Sequence, residues 1–548
     1  MLKNRLITGI LAGLVALAAL GVWQRDSLQR FMFERTGEED LLPQLRGMGQ
    51  YLVSVTRKPP RTQPYTPVTH VGVNPFGINT FWQLEPDPEK RERQAQLVSE
   101  AGFHWIRQEF AWEDIEIHGR GNFVDRRNDP DGVDAWAKYD HIVDTAGQYD
   151  LQIIARLSNP PAWSRAAGDD DGPMAPPDDV ADYAAFAEAV AGRYRGRIRY
   201  YQLWNEPNIY PEWGENDPDP EAYAELLCAG YQAVKAADPD AVVLSGALAA
   251  TSELSGRNLN DYVFLQRLYD AGGGECFDIL TMQGYGLWSG PTDHRREPFV
   301  VNYGRVEYIR DIMLRNGDGD KAIWISEMNW NVAPDDVPPD YGRVTLDQQA
   351  RWAPLAYQRA QEEWPYVGVV NFWYFKRPSD DWEQAGRPEA YFRMATPDFE
   401  LLPVYDTMAE YMQEPPVLYK GLHAPDHWAI DWADEPEDGL AAAHLTFEGR
   451  SLSLLLGEDA AAVLVEVCLD GAPECTPLQY TGGEALVWRG RFPQRHTLEL
   501  RLDDRSALEG VLVHGSDGAV ARAGLELVLA MGVLWASARR LGWLKRPE

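Results

Sequence analysis

The chain has 548 residues, a length that suggests about three folded units at ~150 residues per domain. Hydrophobic residues make up 45% and charged residues 25% of the chain, a balance that excludes intrinsic disorder throughout. The 51 Lys and Arg are outnumbered by 84 Asp and Glu, and the resulting formal charge of −33 argues against nucleic acid as a partner.

Residues 1–30 are predicted to be an N-terminal membrane segment. Residues 6–23 carry no charge and approach the ~20 apolar residues that span a bilayer, which is longer than the core of a signal peptide. Lys3 and Arg5 precede this run, so we expect the N-terminus in the cytoplasm and the remaining chain outside. Cleavage stays open as an alternative, because Ala16, Leu17 and Ala18 resemble a signal-peptidase site.

Residues 31–69 are polar and irregular, with the sequence TRKPPRTQPYTP at 56–67. Proline at this density predicts an extended spacer between the membrane and the next domain.

Residues 70–414 are predicted to form one large domain, of the size of a catalytic domain, with eight parallel strands. Short apolar runs alternate there with amphipathic helical patterns, which is typical of βα units. The predicted strands lie near 71–79, 104–111, 151–157, 200–206, 242–249, 278–285, 322–328 and 368–375. Eight such units favour a (β/α)8 TIM barrel. No glycine-rich phosphate loop follows the first strand, which argues against a dinucleotide-binding sheet.

The pattern changes after residue 414. Residues 415–515 contain short, partly alternating apolar segments separated by turn residues, which predict an antiparallel β-sandwich. This domain would either bind carbohydrate or pack against the barrel.

Residues 516–548 form a C-terminal segment with two open interpretations. Residues 523–538 are apolar and are followed by four cations, as expected of a second span that returns to the cytoplasm. The run is short and contains Glu526, which favours instead a buried or amphipathic helix, or a strand pair.

The four cysteines do not form a zinc motif. In an exported protein they can pair, and the spacing of Cys468 and Cys475 suits a disulfide across a hairpin. The acidic runs at 169–172 and 316–320 do not complete a calcium loop, because the first has no Glu at its twelfth position and in the second that position is Glu327, which lies in a predicted strand. No metal site is therefore predicted.

Two glutamates follow apolar strands at the catalytic end of the predicted barrel. Glu206 lies in YYQLWNEPN at 200–208, and Glu327 lies in AIWISEMNW at 322–330. The ends of barrel strands carry the catalytic groups of this fold, and three βα units separate the two residues. Two carboxylates that flank a glycosidic bond are sufficient to hydrolyse it without a cofactor.

These motifs resemble those of clan A glycoside hydrolases, and in texture those of families thirty-nine and five. The resemblance covers residues 70–414. It implies that Glu206 is the acid/base and Glu327 the nucleophile of a retaining double displacement.

The same resemblance implies further residues around the substrate. Asn205 would hydrogen-bond the sugar 2-OH, Arg107 in WIRQEF would lie beside the nucleophile, and Tyr285 in MQGYG would donate to it. The remaining candidates for substrate binding are Trp373 in NFWYF as a platform, Trp330 and Asn79. Gln283 departs from the pattern, since relatives often place a histidine there.

The sequence therefore predicts an exported glycosidase that is anchored to the outer face of the cell membrane and cleaves a poly- or oligosaccharide. Glu109 and Glu113 are competing candidates for the acid. The alternatives to a hydrolase are a barrel that binds sugar without cleaving it and a transglycosylase.

Overall fold

A computed structural model describes residues 25–433, 440–457, 463–471, 475–480 and 482–515. The apolar run predicted to span the membrane, 6–23, and the C-terminal apolar run 523–538, whose interpretation is open, both lie outside the described residues. Among the helices of the described part, none is long and apolar enough to cross a bilayer.

Eight parallel strands close into a barrel, which confirms the predicted (β/α)8 fold. Each strand pairs with its sequence neighbours, and the first pairs with the last. The strands are β1 Phe76–Thr80, β2 Trp105–Ala111, β3 Gln152–Ser158, β4 Tyr200–Leu203, β5 Val242–Leu244, β6 Ile279–Gln283, β7 Ala322–Met328 and β8 Val367–Phe372.

One long helix follows each barrel strand. These helices are α3 Pro88–Ala101, α4 Ala137–Gln148, α5 Val180–Arg193, α6 Pro220–Ala237, α7 Asp261–Asp270, α8 Val306–Arg315, α9 Leu346–Glu363 and α10 Pro403–Met412, preceded in the chain by α1 Arg25–Thr36 and α2 Leu41–Ser54. Two short helices, Trp112–Ile115 and Asp381–Gln384, and a small hairpin of Val124–Asp125 with Val133–Asp134 lie in the connecting loops.

Five of the eight barrel helices begin where a side chain caps the first backbone N–H groups. The capping acceptors of α3, α5, α6 and α7 are Asp87, Asp179, Asp219 and Asn260. Thr345 and Gln348 form a reciprocal capping box at the start of α9. Local sequence therefore fixes where these five helices start.

The barrel interior is apolar at one end and polar at the other. At the N-terminal ends of the strands, the rings of Trp105, Tyr200 and Trp324 pack with centroids 5.0–5.2 Å apart. Toward the C-terminal ends, the inward residues are polar and include Arg107 and Gln202, both buried. This arrangement places the hydrogen-bonding groups under the face that carries Glu206 and Glu327.

The extended spacer predicted for residues 31–69 is wrong for residues 31–54, which contain the second half of α1 and all of α2. The proline signal is concentrated near 59–67, whereas α2 has helix-forming residues and its Pro43 lies in the first turn, where no N–H bond is lost. Both helices belong to the folded unit, because the Thr292 hydroxyl donates to the Phe33 carbonyl of α1 at 2.6 Å and Arg295 donates to the Gln50 side-chain oxygen of α2 at 2.9 Å.

The C-terminal domain is one antiparallel sheet of seven strands among the described residues, not the predicted sandwich of two sheets. Its strands are β9 Gly421–His423, β10 Ile430–Trp432, β11 Ala441–Leu456, β12 Val463–Leu469, β13 Thr476–Tyr480, β14 Gly483–Leu502 and β15 Leu508–His514. The sequence pattern divides β11 and β14 at turn-like residues, but each is continuous, and the register between them shifts near Gly449. Two long strands therefore replace four short ones.

Both cysteine pairs are bonded. The disulfide between Cys468 and Cys475 joins the end of β12 to the residue before β13, as the spacing predicts. The disulfide between Cys228 and Cys276 ties α6 to the turn before β6.

Two buried histidines lie where the sheet domain meets the bottom of the barrel. The rings of His423 and His427 are 4.9 Å apart, and the neighbouring Trp428 contacts Phe76 of β1. The His423 Nε2 lies 2.7 Å from the Tyr419 carbonyl oxygen. Burial lowers the pKa of His423 from 6.5 to about 4, and it also lowers the pKa of His427 well below its usual value.

We expect this pair to make folding sensitive to acid. Between pH ~6.5 and ~4 the unfolded chain binds protons that the buried imidazoles do not bind, so the free energy of unfolding falls as pH falls. His423→Gln, which retains an N–H donor for Tyr419, should weaken that dependence by on the order of 3 kcal/mol over the interval. Urea midpoints at pH 7, 6, 5 and 4 measure it. The exposed His118→Gln is the control, and equal slopes for wild type and His423→Gln would contradict the expectation.

Candidate active site

Glu206 lies on a strained turn just beyond β4. Trp204 and Glu206 have φ angles of 81° and 38°, in the left-handed region that non-glycine residues rarely adopt. The turn is held by the Glu206 N–H, which donates to the Ala247 carbonyl at 2.9 Å, and by a bridge between Asn205 and Ala247. Strain of this kind persists where the surrounding structure fixes a functional geometry.

Glu327 is held by a hydrogen bond to each of its carboxylate oxygens. It lies near the end of β7 and is 5% exposed. The Arg107 Nη1 donates to Oε1 at 2.7 Å, and the Tyr285 hydroxyl donates to Oε2 at 2.7 Å. A cation and a phenol therefore solvate the carboxylate and fix its plane.

Arg107 connects four strands of the barrel. Besides Glu327, its guanidinium donates to Asn79 at 2.9 Å, to Gln202 at 2.6 Å and to Asn205 at 2.7 Å. All three acceptors are buried side-chain amide oxygens. The resemblance correctly places Arg107 beside Glu327, and the structure adds the amides that hold it.

The prediction that Asn79 binds substrate is not matched by its position. Asn79 is 2% exposed, and its amide nitrogen donates to the backbone carbonyls of Ser326 and Phe372. Its oxygen accepts from Arg107. Asn79 therefore positions the guanidinium from below, because all of its polar groups are used inside the protein.

The end of β6 contacts both carboxylates. Gln283, which replaces the histidine of the resemblance, donates to the Glu206 Oε1 at 2.9 Å and pairs with Glu327 in the sheet register. Tyr285, two residues further, donates to Glu327. The two carboxyl groups are therefore bonded to the same short segment, residues 283–285, and we call the space between these side chains the cleft.

The surroundings of Glu206 favour its protonated form. Burial raises the pKa of Glu206 well above its usual value, and the negative charges of Glu327 and Glu212 raise it further. Burial and the charge of Glu327 also raise the pKa of Tyr285, so its hydroxyl remains a donor. Glu206 is thus suited to give a proton, while Glu327 accepts hydrogen bonds from a guanidinium and a phenol.

Neither competing acid occupies the position of Glu206. Glu109 pairs with Arg156 at 2.6 Å and accepts hydrogen bonds from Gln83 and Ser158. Glu113 is exposed in the short helix after β2. The structure therefore leaves Glu206 as the partner of Glu327.

The predicted aromatic contacts divide into one at the cleft and one in the core. Trp373 is partly exposed just beyond β8; it packs, as Tyr285 does, against the cluster of Phe81, Tyr374 and Phe392, with its ring centroid 5.4 Å from that of Phe81. Trp330 has no exposed surface, and its indole N–H donates to the Ser289 carbonyl. The prediction that Trp330 binds substrate is wrong, because it packs behind the cleft.

Glu212 is a site residue that sequence reasoning missed. It lies in the loop after Glu206, hydrogen-bonded to Asn205 and close to the charge of Arg156. Burial raises the pKa of Glu212 to about 7, although Arg156 opposes that rise. The loop has no periodicity and no motif, so nothing in the sequence marks this glutamate as part of the site.

In the part of the chain that the structure describes, no three His, Cys, Asp or Glu side chains are grouped to hold a metal ion.

The chain matches no protein-family model and no curated protein sequence. It is similar in structure to a family 39 glycoside hydrolase from Bacteroides cellulosilyticus, with 18% identity, 77% of this chain and 80% of that chain covered, and a TM-score of 0.47. A family 39 β-xylosidase from Caulobacter crescentus has 15% identity, covers 82% and 98%, and has a TM-score of 0.44. A family 5 enzyme from Streptomyces cattleya has 17% identity, covers 63% and 82%, and has a TM-score of 0.47. These are the families that the sequence motifs resemble.

We expect the ion pair between Arg107 and Glu327 to be essential for the stability of the barrel. Arg107→Met leaves the Glu327 carboxylate buried without its cation, and breaking such a pair costs about 3–5 kcal/mol. Arg107→Met combined with Glu327→Gln should be less destabilised than Arg107→Met alone, because no uncompensated charge remains. Urea denaturation of the three proteins measures this difference. Arg257→Met, which removes a fully exposed partner of Glu215, is the control and should change little.

Proposed function

We propose that the protein is a retaining glycoside hydrolase that cleaves a poly- or oligosaccharide. The observation that carries the proposal is the unequal treatment of two glutamates at one cleft. Glu206 accepts a single amide hydrogen bond where burial and nearby acids favour its protonated form. Glu327 accepts hydrogen bonds from a guanidinium and a phenol. Hydrolysis of a glycosidic bond with retention uses one carboxylic acid as the proton donor and one carboxylate as the nucleophile.

In the first step, a carboxylate oxygen of Glu327 attacks C1 of the sugar and the bond from C1 to the glycosidic oxygen breaks. Glu206 transfers its proton to that departing oxygen, so the leaving group departs as an alcohol. A covalent glycosyl ester on Glu327 remains. Tyr285 and Arg107 keep the attacking group oriented, and neither exchanges a proton in this step.

In the second step, Glu206, now a carboxylate, removes a proton from water as that water attacks C1. The ester bond breaks, Glu327 is released as a carboxylate, and Glu206 is protonated again. Two displacements at C1 leave its configuration unchanged. The raised pKa of Glu206 suits both halves, since the group must donate and then accept within one cycle.

Two further residues complete the proposed substrate site. Asn205 lies next to Glu206, with its side-chain oxygen accepting from Arg107 and its amide group bonded to Glu212. In this proposal the second N–H of that amide group bonds the 2-OH of the sugar. Trp373 is partly exposed at the end of β8 and would form an apolar platform for the ring. Aromatic side chains suit this task because sugar rings present apolar C–H faces.

We also propose that the enzyme is exported and held at the outer face of the cell membrane by residues 6–23. The charge-free run after Lys3 and Arg5 supports this orientation. The full-length chain should sediment with membranes and keep Met1. A soluble mature chain that begins near residue 20 would show instead that the segment is a cleaved signal.

The roles of the two glutamates can be separated with azide. Glu206→Ala should still form the glycosyl enzyme from a dinitrophenyl glycoside, whose leaving group needs no proton, and then stall. Azide needs no general base, so it should restore turnover by about 10²-fold or more and yield the glycosyl azide of retained configuration. In Glu327→Ala, azide would attack from the vacated side and give the inverted product. Proton NMR of the early products distinguishes the two anomers.

Glu109→Ala is the matched control for this experiment. It removes a carboxylate that is already paired with Arg156, so it should not show azide-dependent turnover. The assignment would be wrong if the Glu109 variant behaved like Glu206→Ala, or if the wild-type product were inverted. A barrel that binds sugar without cleaving it would release no dinitrophenol in any variant.

Two variants should shift the pKa of Glu206 in opposite directions. Glu212→Gln removes a negative charge that raises this pKa, so the alkaline limb of kcat/KM should move to lower pH. Gln283→Leu removes a hydrogen bond that stabilises the anion, so the limb should move to higher pH. Each shift should be about 0.5–1 pH unit. Rates at low substrate concentration across the pH range measure both, and shifts of the same sign would contradict the role of Glu206.

A further inference from the structure

The N-terminal helical hairpin, α1 with α2, exposes an unusual number of apolar side chains. In the described part of the chain, nineteen large apolar residues are exposed, and six of them lie in this hairpin. They are Leu28, Leu41, Leu42, Leu45, Leu52 and Val53. A concentration of this kind marks a contact surface, because single exposed leucines are common but clusters of them are not.

The apolar residues of α2 lie on one side of the helix. At 100° per residue, the five exposed positions between 41 and 53 fall within a sector of about 120°, which we call the outer stripe. The opposite side faces the protein and carries the buried residues Gln44, Gly47 and Ser54. Helices on the surface of soluble proteins have the reverse arrangement, with the apolar side inward.

The inward side of α2 is held by polar contacts and close packing. The Gln44 amide donates to the carbonyls of Gln29 and Glu38, at 3.0 and 2.9 Å. A Cβ at Gly47 would lie 2.9 Å from Thr36, so only glycine permits this approach of the two helices. The hairpin therefore cannot rotate to hide its leucines without losing these contacts.

We infer that the outer stripe of α2 lies in the interfacial layer of a lipid bilayer. The charge-free run of residues 6–23 ends two residues before Arg25, where α1 begins. If that run spans the membrane, α1 starts at its surface, and α2 packs against α1. An α-helix of 12 residues is only about 18 Å long, so α2 stays close to the lipid. An exposed apolar stripe beside a polar side is the pattern of helices that lie in this layer.

The charge of the hairpin region is compatible with anionic lipid headgroups. Residues 25–58 contain six Lys or Arg and five Asp or Glu, a net charge of +1 in a chain of −33. Arg46, Arg57 and Lys58 are exposed on α2 and directly after it. Two of the acids, Glu38 and Glu39, pair with Arg295 and Arg351 of the barrel. Anionic lipid therefore repels the negatively charged remainder of the chain but does not repel the hairpin.

The lipid contact would place the bilayer beside the catalytic face. The hairpin is fastened to the segment after β6, where the Gly290 N–H donates to the Gly37 carbonyl and the Thr292 hydroxyl to that of Phe33. It is also fastened to the start of α9 after β7, where the Trp352 indole donates to Glu39. These segments follow the strands that carry Gln283 and Glu327. The enzyme would therefore act on glycan at the membrane surface.

The test uses the full-length chain in nanodiscs of phosphatidylethanolamine and phosphatidylglycerol. Leu45→Cys and Leu52→Cys are labelled with an environment-sensitive fluorophore, since the four native cysteines are paired. Leu254→Cys is the matched control, because it is 69% exposed in the loop after β5. Lipids with a nitroxide near the headgroup should quench labels 45 and 52 at least roughly threefold more than label 254, and aqueous iodide should quench them less.

Equal nitroxide quenching at all three positions would overturn the inference. Protection of labels 45 and 52 from iodide without nitroxide quenching would also overturn it, since the stripe would then be covered by protein, either residues 6–23 or a second copy. The measurement does not depend on catalysis. Activity of the labelled chains on a soluble aryl glycoside is recorded separately, so failure of the proposed reaction and failure of the lipid contact are distinguishable.

Discussion

The buried ion pair between Arg107 and Glu327 is the interaction on which the site depends. A guanidinium inside a barrel is tolerated only when its donors are satisfied, and here one carboxylate and three amide oxygens accept from it. Because these acceptors come from β1, β7 and the end of β4, the guanidinium also links three strands to its own strand β2. The nucleophile proposed for the reaction is thus fixed by the same bonds that hold the barrel interior together.

The second principle of the site is that two identical side chains acquire different chemistry from their surroundings. Glu327 faces a cation and a phenol, whereas Glu206 is half-buried near two other acids and receives an amide hydrogen bond. The difference follows from which strand ends meet at the cleft, because β6 delivers an amide to one glutamate and a phenol to the other. The strained turn after β4 then directs Glu206 toward that amide. The polar network lies above the packed rings of Trp105, Tyr200 and Trp324, which fill the other end of the barrel.

The hairpin of α1 and α2 distributes polar and apolar side chains in the opposite way to the barrel. In the barrel, apolar side chains are buried and polar ones are matched with partners; in α2 the polar side is buried and the apolar side is exposed. If α2 contacts lipid rather than water, both arrangements place polar and apolar faces in matching surroundings. The position of α2 against the segment after β6 connects this outer surface to the catalytic face.

The sequence by itself determined the elements that have a local signal. Alternating strands and helices with capping residues predicted the barrel, and two motifs at strand ends identified Glu206 and Glu327, with the resemblance adding Arg107 and Tyr285. Only the tertiary structure decided what each face or side chain meets. Periodicity shows which residues share a face, but not whether that face contacts protein, water or lipid. The sequence likewise does not distinguish a tryptophan that follows a strand and lines a cleft from one that packs in the core. The inward role of Asn79, the burial of Trp330, the merging of four predicted strands into β11 and β14, and the place of Glu212 in an aperiodic loop all depend on contacts between residues far apart in the chain.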